Sequence, residues 1–158
     1  MTDTTSALIE LNSFIKHMAW KCEQLDGWSY VATSNAPEGF KQLKEQTINR
    51  CIPIANYGCD SSIYDSPETN ILFRFYHDVT HLTLNEGFSK SGEYATIDQH
   101  MIDGKAYGLS ELALNILEID TRGQVDYYFK HKEFVSNQLA FLDNCLELGL
   151  NNALEIKC

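Results

Sequence analysis

Apolar residues recur along most of this chain at intervals of three and four, the spacing that draws a stripe down one face of an α-helix. The first stripe is Leu8, Leu11, Ile15, Met18 and Cys22, which predicts a helix over about Thr5 to Gln24. His17 falls off that stripe and reads as a surface residue. From Leu25 to Glu38 the chain is rich in Gly, Ser, Asn and Pro and reads mostly as loop, with Trp28 and Tyr30 pinning it to the core. A shorter helix is expected from Pro37 to Asn49, with Phe40 and Leu43 inward. An irregular stretch from Cys51 to Ser66 follows, of a length that often forms the lid or wall of a site.

The clearest helix start comes next. Ser66 suits the N-cap, Pro67 the first helical position, and Glu68 the positive end of the helix dipole. The helix is expected to reach about Asn85 and to end at Gly87. Ile71, Leu72, Phe73, Phe75, Tyr76, Val79, Leu82 and Leu84 cover most of its circumference, so it reads as a central helix buried on several sides. A turn from Glu86 to Ser91 leads into a helix from Gly92 to about Asp103, beyond which Gly104 and Gly108 weaken helical order while leaving a continuous helix through them open. Leu109 to Tyr128 is helical with a bend at Gly123. A last helix runs from Lys132 to Leu148, with Phe134, Leu139, Leu142 and Cys145 inward. Few runs alternate with period two, so strands should be rare. The expected fold is all-α: a compact helical bundle of five to seven helices, one domain over residues 1–158.

Composition narrows the function classes. The chain has 158 residues, 44% of them hydrophobic, enough to fold around a core without a disulfide scaffold. Twelve basic against 22 acidic residues give a net charge of -10, a field that repels phosphate backbones, and no nucleic-acid partner is expected. Met1 to Ser6 do not form a charged, then apolar, leader, and no stretch has the apolar length of a membrane span. The five cysteines are odd in number and form no CxxC pair, which suits reduced thiols and a cytoplasmic location.

The candidate chemistry lies on the central helix. His77 and His81, four residues apart, project from one helical face and can grip one ion. Asp78 lies about 100 degrees round the helix from His77, close enough for its carboxylate to reach inward. Glu93 follows His81 after eleven intervening residues, the end of one helix, a turn and the start of the next, which can bring it back opposite His81. The metal site is thus expected between the 67–86 and 92–103 helices, with His77, Asp78, His81 and Glu93 as ligands. Such N and O donors suit zinc, and also iron or manganese. Asp78 and Glu93 are also candidate bases. His100, two turns beyond Glu93, is a candidate further ligand, hydrogen-bond partner or general base. Gly92 is expected to allow a close approach at the helix start that turns Glu93 inward. A polar network, with Asp78 paired to Arg74 and the histidines bonded to backbone or tyrosine, is the competing reading of the same residues. A metal-free acid–base site, with His77 or His81 polarised by Asp78, is a further one.

The run His77-Asp78-Val79-Thr80-His81, eleven residues, then Glu93 resembles the His-Asp-x-x-His, eleven residues, Glu signature of the Coq4 family of ubiquinone-biosynthesis proteins. Gly92 directly before Glu93 is similar too. The resemblance covers about Phe73 to Tyr94. It implies an all-helical fold holding one divalent metal, usually zinc, through His77, Asp78, His81 and Glu93. It further implies a hydrophobic aromatic or quinone-like ligand in a channel between helices, and a decarboxylase-type activity. A location peripheral to a membrane and association in a homo-oligomer or protein complex follow from the same likeness. The alternatives are a non-catalytic metal-stabilised scaffold, a lipid-carrying binding protein, and an HD-type metal phosphohydrolase, which would need an earlier histidine such as His17 at the same centre.

Overall fold

The computed structural model describes residues 3–60 and 63–158. Its elements in chain order are α1 (Asp3–Gln24), β1 (Ser29–Thr33), α2 (Phe40–Gln46), β2 (Cys51–Ala55), α3 (Pro67–Leu84) and α4 (Lys90–Tyr107). They continue with α5 (Glu111–Glu118), a π-helical segment (Ile119–Gly123), α6 (Gln124–His131), α7 (Gln138–Leu148) and the single turn α8 (Leu150–Ala153). Because α5, the π segment and α6 run on without a break, the described residues form an all-helical bundle of seven helical rods, with a two-stranded ribbon attached.

The stripe on α1 is buried as its spacing demands: Leu11, Ile15, Met18 and Cys22 face inward, joined by Phe14 and Ala19. They pack α1 against α3 and α5. Helix α3 is the central rod, touching α1, α4 and β2. Its start matches the sequence reading: Ser66 is the N-cap and its hydroxyl accepts a hydrogen bond from the Thr69 amide, with Pro67 at the first position. Its end falls where expected, at Leu84 with Asn85 as C-cap, but Asn85 and not Gly87 is the terminator. Asn85, in the left-handed region at φ 54°, stops the helix before Gly87 is reached, which frees Gly87 for the role described below.

Three expectations are corrected. First, the loop and irregular stretches contain a parallel pair, β1 and β2, in register from Ser29 opposite Cys51 to Thr33 opposite Ala55. The signal was the short alternation in β2, where Ile52 and Ile54 are buried and their neighbours are not. Pro53 is tolerated because each strand of a two-stranded ribbon has a free edge. Second, α4 does not end near Asp103; of the two courses left open it takes the continuous one through Gly104, to Tyr107, and stops at Gly108. At Gly104 the side chains of Leu109, Leu114 and Leu117 lie 3.0–3.4 Å from where a Cβ would be, so the glycine is where α5 presses against α4. Third, α7 begins at Gln138, not Lys132. Lys132 turns left-handed at φ 59° to end α6, and the Asn137 side chain caps α7 by accepting from the Ala140 amide. Phe134 is therefore a loop residue, 78% exposed, and Leu139 also faces outward, while Leu142 and Cys145 are buried as expected.

Described residues of the long irregular stretch form a wall. Tyr57, Gly58, Asp60 and Tyr64 line a cavity of about 650 Å³. Arg74 fastens that wall by donating to the carbonyls of Ala55, Tyr57 and Gly58. Its hydrogen bonds therefore go to the wall and not to Asp78. Among the described residues no helix is long and apolar enough to cross a membrane.

Candidate metal centre

Helix geometry places His77 and His81 one turn apart on the face of α3 that meets α4. Glu93 comes from the first turn of α4, where the Ser89 hydroxyl caps the helix by accepting from the Gly92 amide. What lets α4 start so close to α3 is Gly92. A Cβ there would stand 2.0 Å from the Gly87 carbonyl oxygen, an impossible distance for any other residue. The turn Glu86–Ser89 thus folds flat against Gly92, and the carboxylate that follows is delivered to the histidines.

The three side chains converge on one point. His77 Nε2 and His81 Nε2 lie 3.0 Å apart, and Glu93 Oε2 lies 3.2 and 3.3 Å from them. The centre of a triangle with these edges is about 1.8 Å from each corner, so an ion at ordinary Zn–N and Zn–O distances of about 2.0–2.2 Å reaches all three. His81 Nδ1 donates to the Glu86 carbonyl at 2.8 Å, which leaves the Nε2 lone pair of a neutral ring aimed at the centre. Two imidazole nitrogens and a carboxylate oxygen pointing at each other repel unless a positive charge lies between them. In the metal-free protein that positive charge is a proton shared with Glu93, which a bound cation would displace. Burial acts to lower the His81 pKa, but the hydrogen bond and charge of Glu93 overcome it and raise it above the usual value. Burial acts to raise Glu93, but the bonds from His77 and His81 win and bring it down to about 2. The donor set, two imidazoles and a carboxylate, fits a divalent cation.

His100 is wholly buried behind this triangle. Its Nε2 lies 2.9 Å from His77 Nδ1, and its ring packs on Tyr76 with centroids 4.4 Å apart. Burial, then the nearby charges of His77 and His81, pushes its pKa well below the ordinary imidazole value, so it is neutral. When His77 Nε2 presents its lone pair, His77 Nδ1 carries the proton and donates it to His100. The His100 proton then sits on Nδ1, which finds no hydrogen-bond partner among the described residues. His100 therefore orients the His77 ring. We expect His100→Leu to weaken metal binding about 10- to 100-fold, the usual effect of losing such an outer partner, with partial recovery in His100→Gln, whose amide oxygen can accept the bond. A metal-competition titration on both folded variants checks this; equal affinities for wild type and His100→Leu would remove the orienting role.

Asp78 is on the same turn of α3 but outside the converging set of His77, His81 and Glu93. It is close enough to feel the charges of both imidazoles and of Glu93, and burial pushes its carboxyl up to about 6. His17 stacks with Trp20 on the exposed side of α1 and takes no part in the centre. Asp103 accepts from the buried Tyr76 hydroxyl at 2.5 Å and from Gln99.

His77 and Glu93 open onto a cavity of about 470 Å³, whose other walls include Phe73, Phe88, Ile97, Val125, Tyr128, Phe129 and Phe134. Sequence reasoning missed three further polar lining residues, Asp120, Thr121 and Gln124. The first two lie in the π segment, and no local pattern announces that a helix will widen there. In comparisons with known proteins no family model, no curated protein and no solved structure matches this chain, so the likeness to the Coq4 family rests on the His-Asp-x-x-His and Glu93 run alone. A buried His-His-Glu cluster able to hold a metal ion, in an all-helical bundle, is what the site establishes.

Proposed function

We propose that this protein is a divalent-metal-dependent enzyme, zinc being the best fit, that acts on a hydrophobic aromatic or quinone-like molecule. The observation that carries the reading is the position of the triad in the wall of a cavity: two of its three members face a space lined mainly by aromatic and aliphatic side chains. Three protein ligands with one side open is the arrangement of catalytic zinc sites, whereas structural sites are closed by four. When bound, the metal supplies a Lewis acid that polarises a substrate oxygen.

The chain's own residues then divide the work. His77, His81 and Glu93 hold the ion. His100 fixes the His77 ring, and the Glu86 carbonyl fixes His81. Glu93, the carboxylate of the triad that also faces the cavity, is the residue placed to exchange a proton with a substrate. Asp78 acts through its charge on the two imidazoles. Phe73, Phe88 and Ile97 exclude water and receive an apolar ring. The Coq4-like signature agrees with His77, His81 and Glu93 as ligands, though it would add Asp78 to them, and with a decarboxylase-type reaction, in which the centre would hold a carboxylate or phenolate oxygen.

A non-catalytic scaffold is the competing reading, favoured by the way the triad ties α3 to α4. Cobalt substitution separates the two. With an open position, the visible spectrum of the cobalt protein is expected to change on addition of acetohydroxamate, as the added ligand enters the coordination sphere. A spectrum indifferent to it would establish a closed structural site and overturn the enzyme.

A further inference from the structure

The cavity over the triad and the larger one behind it share a wall: Phe73, Asp120, Gln124 and Phe134 line both. Among them is Asp120, a carboxylate only 9% exposed. The π segment, with one extra residue per turn, places it there. Its oxygens accept from the Tyr64 hydroxyl at 2.5 Å and the Gln124 amide at 2.6 Å. Among the described residues no lysine, arginine or histidine pairs with it. A buried carboxylate with two neutral donors and no cation is costly to keep. Burial pushes its carboxyl up to about 6, against the pull of those two hydrogen bonds.

The surroundings select the kind of partner that would relieve this. The ionisable groups lining the cavity over the triad are Glu38 at its rim, His77, Glu93 and Asp120, with no lysine or arginine among them. Tyr128 stacks on Phe134 with centroids 4.7 Å apart along the same cavity, and their ring faces attract a cation. Arg74, which lines the larger cavity, is engaged by the carbonyls of Ala55, Tyr57 and Gly58, so the shared wall offers an anion no uncommitted cation among the described residues, and a neutral apolar group would leave Asp120 as it is.

We propose that Asp120, with Gln124 and the Tyr128–Phe134 pair, forms a second pole of the cavity that binds the ammonium group of an amine with an apolar body. The pole is independent of metal at the triad. It adds to the proposed function a ligand feature that the metal cannot read: a positive charge held by Asp120 in the cavity that His77 and Glu93 also line.

The test uses phenethylamine and its uncharged analogue 2-phenylethanol, titrated into the whole protein with and without added zinc and followed by amide NMR shifts. The amine is expected to bind at least about tenfold more tightly than the alcohol in both states, with the largest shifts at Asp120, Gln124 and Tyr128. Asp120→Asn keeps the acceptor for Tyr64 and is expected to bring the amine down to the alcohol's affinity. Equal binding of the two probes by the wild type would overturn the proposal, whether or not the variant folds. So would an amine preference unchanged in Asp120→Asn, or one that disappears when zinc is left out. Failure of the triad to bind zinc would defeat the proposed function and leave this result standing.

Discussion

His81→Ala is expected to abolish tight metal binding, raising the dissociation constant by more than about 100-fold, since even outer-shell partners are worth 10- to 100-fold. His81 is fully buried and gives two separate bonds: Nδ1 to the Glu86 carbonyl and Nε2 to the centre. Alanine removes both and leaves Glu93 and His77 as a bare pair, too few ligands to hold an ion against water. It also orphans the Glu86 carbonyl and opens a void, which together cost about 2–3 kcal/mol of stability in the metal-free protein. Elemental analysis of protein purified without an affinity tag, paired with urea unfolding in chelator, separates the two effects. If wild type and variant carry equally little metal after equilibration with zinc, the triad is a polar network and the metal reading fails.

Gly92→Ala is expected to cost about 3 kcal/mol or more and to weaken metal binding as well. The reason is not backbone freedom, because Gly92 lies within the regular helix α4. It is space. The new methyl would meet the oxygen, carbon and nitrogen of Gly87 at 2.0, 2.9 and 3.1 Å, all backbone atoms of the α3–α4 turn. That turn cannot yield by a side-chain rotation, so the start of α4 must move, and Glu93 moves with it. Gly104→Ala is the matched control. Its new methyl meets only the flexible ends of leucine side chains at 3.0–3.4 Å, and the expected cost is about 1 kcal/mol with metal binding intact. Urea midpoints and zinc affinity of the two variants make the comparison. A Gly92→Ala protein as stable as Gly104→Ala would show that the turn is not fixed by this contact.

The contrast between those glycines shows where sequence reading succeeds. A histidine pair at i and i+4 on an apolar helix is a local statement, and local geometry decides it: one turn of α3 brings His77 and His81 together whatever surrounds them. Glu93 was legible for a similar reason, because a short turn between neighbouring helices leaves few places for the residue that follows it. Asp78 was the harder case. It shares the turn with His77, yet an offset of about 100 degrees decides between joining the triad and lying beside it. Which of these happens depends on how α3 is rotated against α4, and that rotation is set by packing. Phe134 failed for the opposite reason. Its spacing fits a helix that Lys132 and Asn137 do not allow to form.

From the amino acids alone came the bundle, the start of α3, the pairing of His77 with His81, the arrival of Glu93 and the need for a small residue at Gly92. Each depends on contacts within a few turns of chain, where periodicity, capping and sterics act directly. Only the tertiary structure decided that the triad excludes Asp78, that His100 lies against His77, and that Asp120 faces the triad's cavity from a widened helix. These groups are separated from their partners by one to six helical turns or by whole elements. Their meeting depends on how rods pack, a collective outcome that no local pattern encodes.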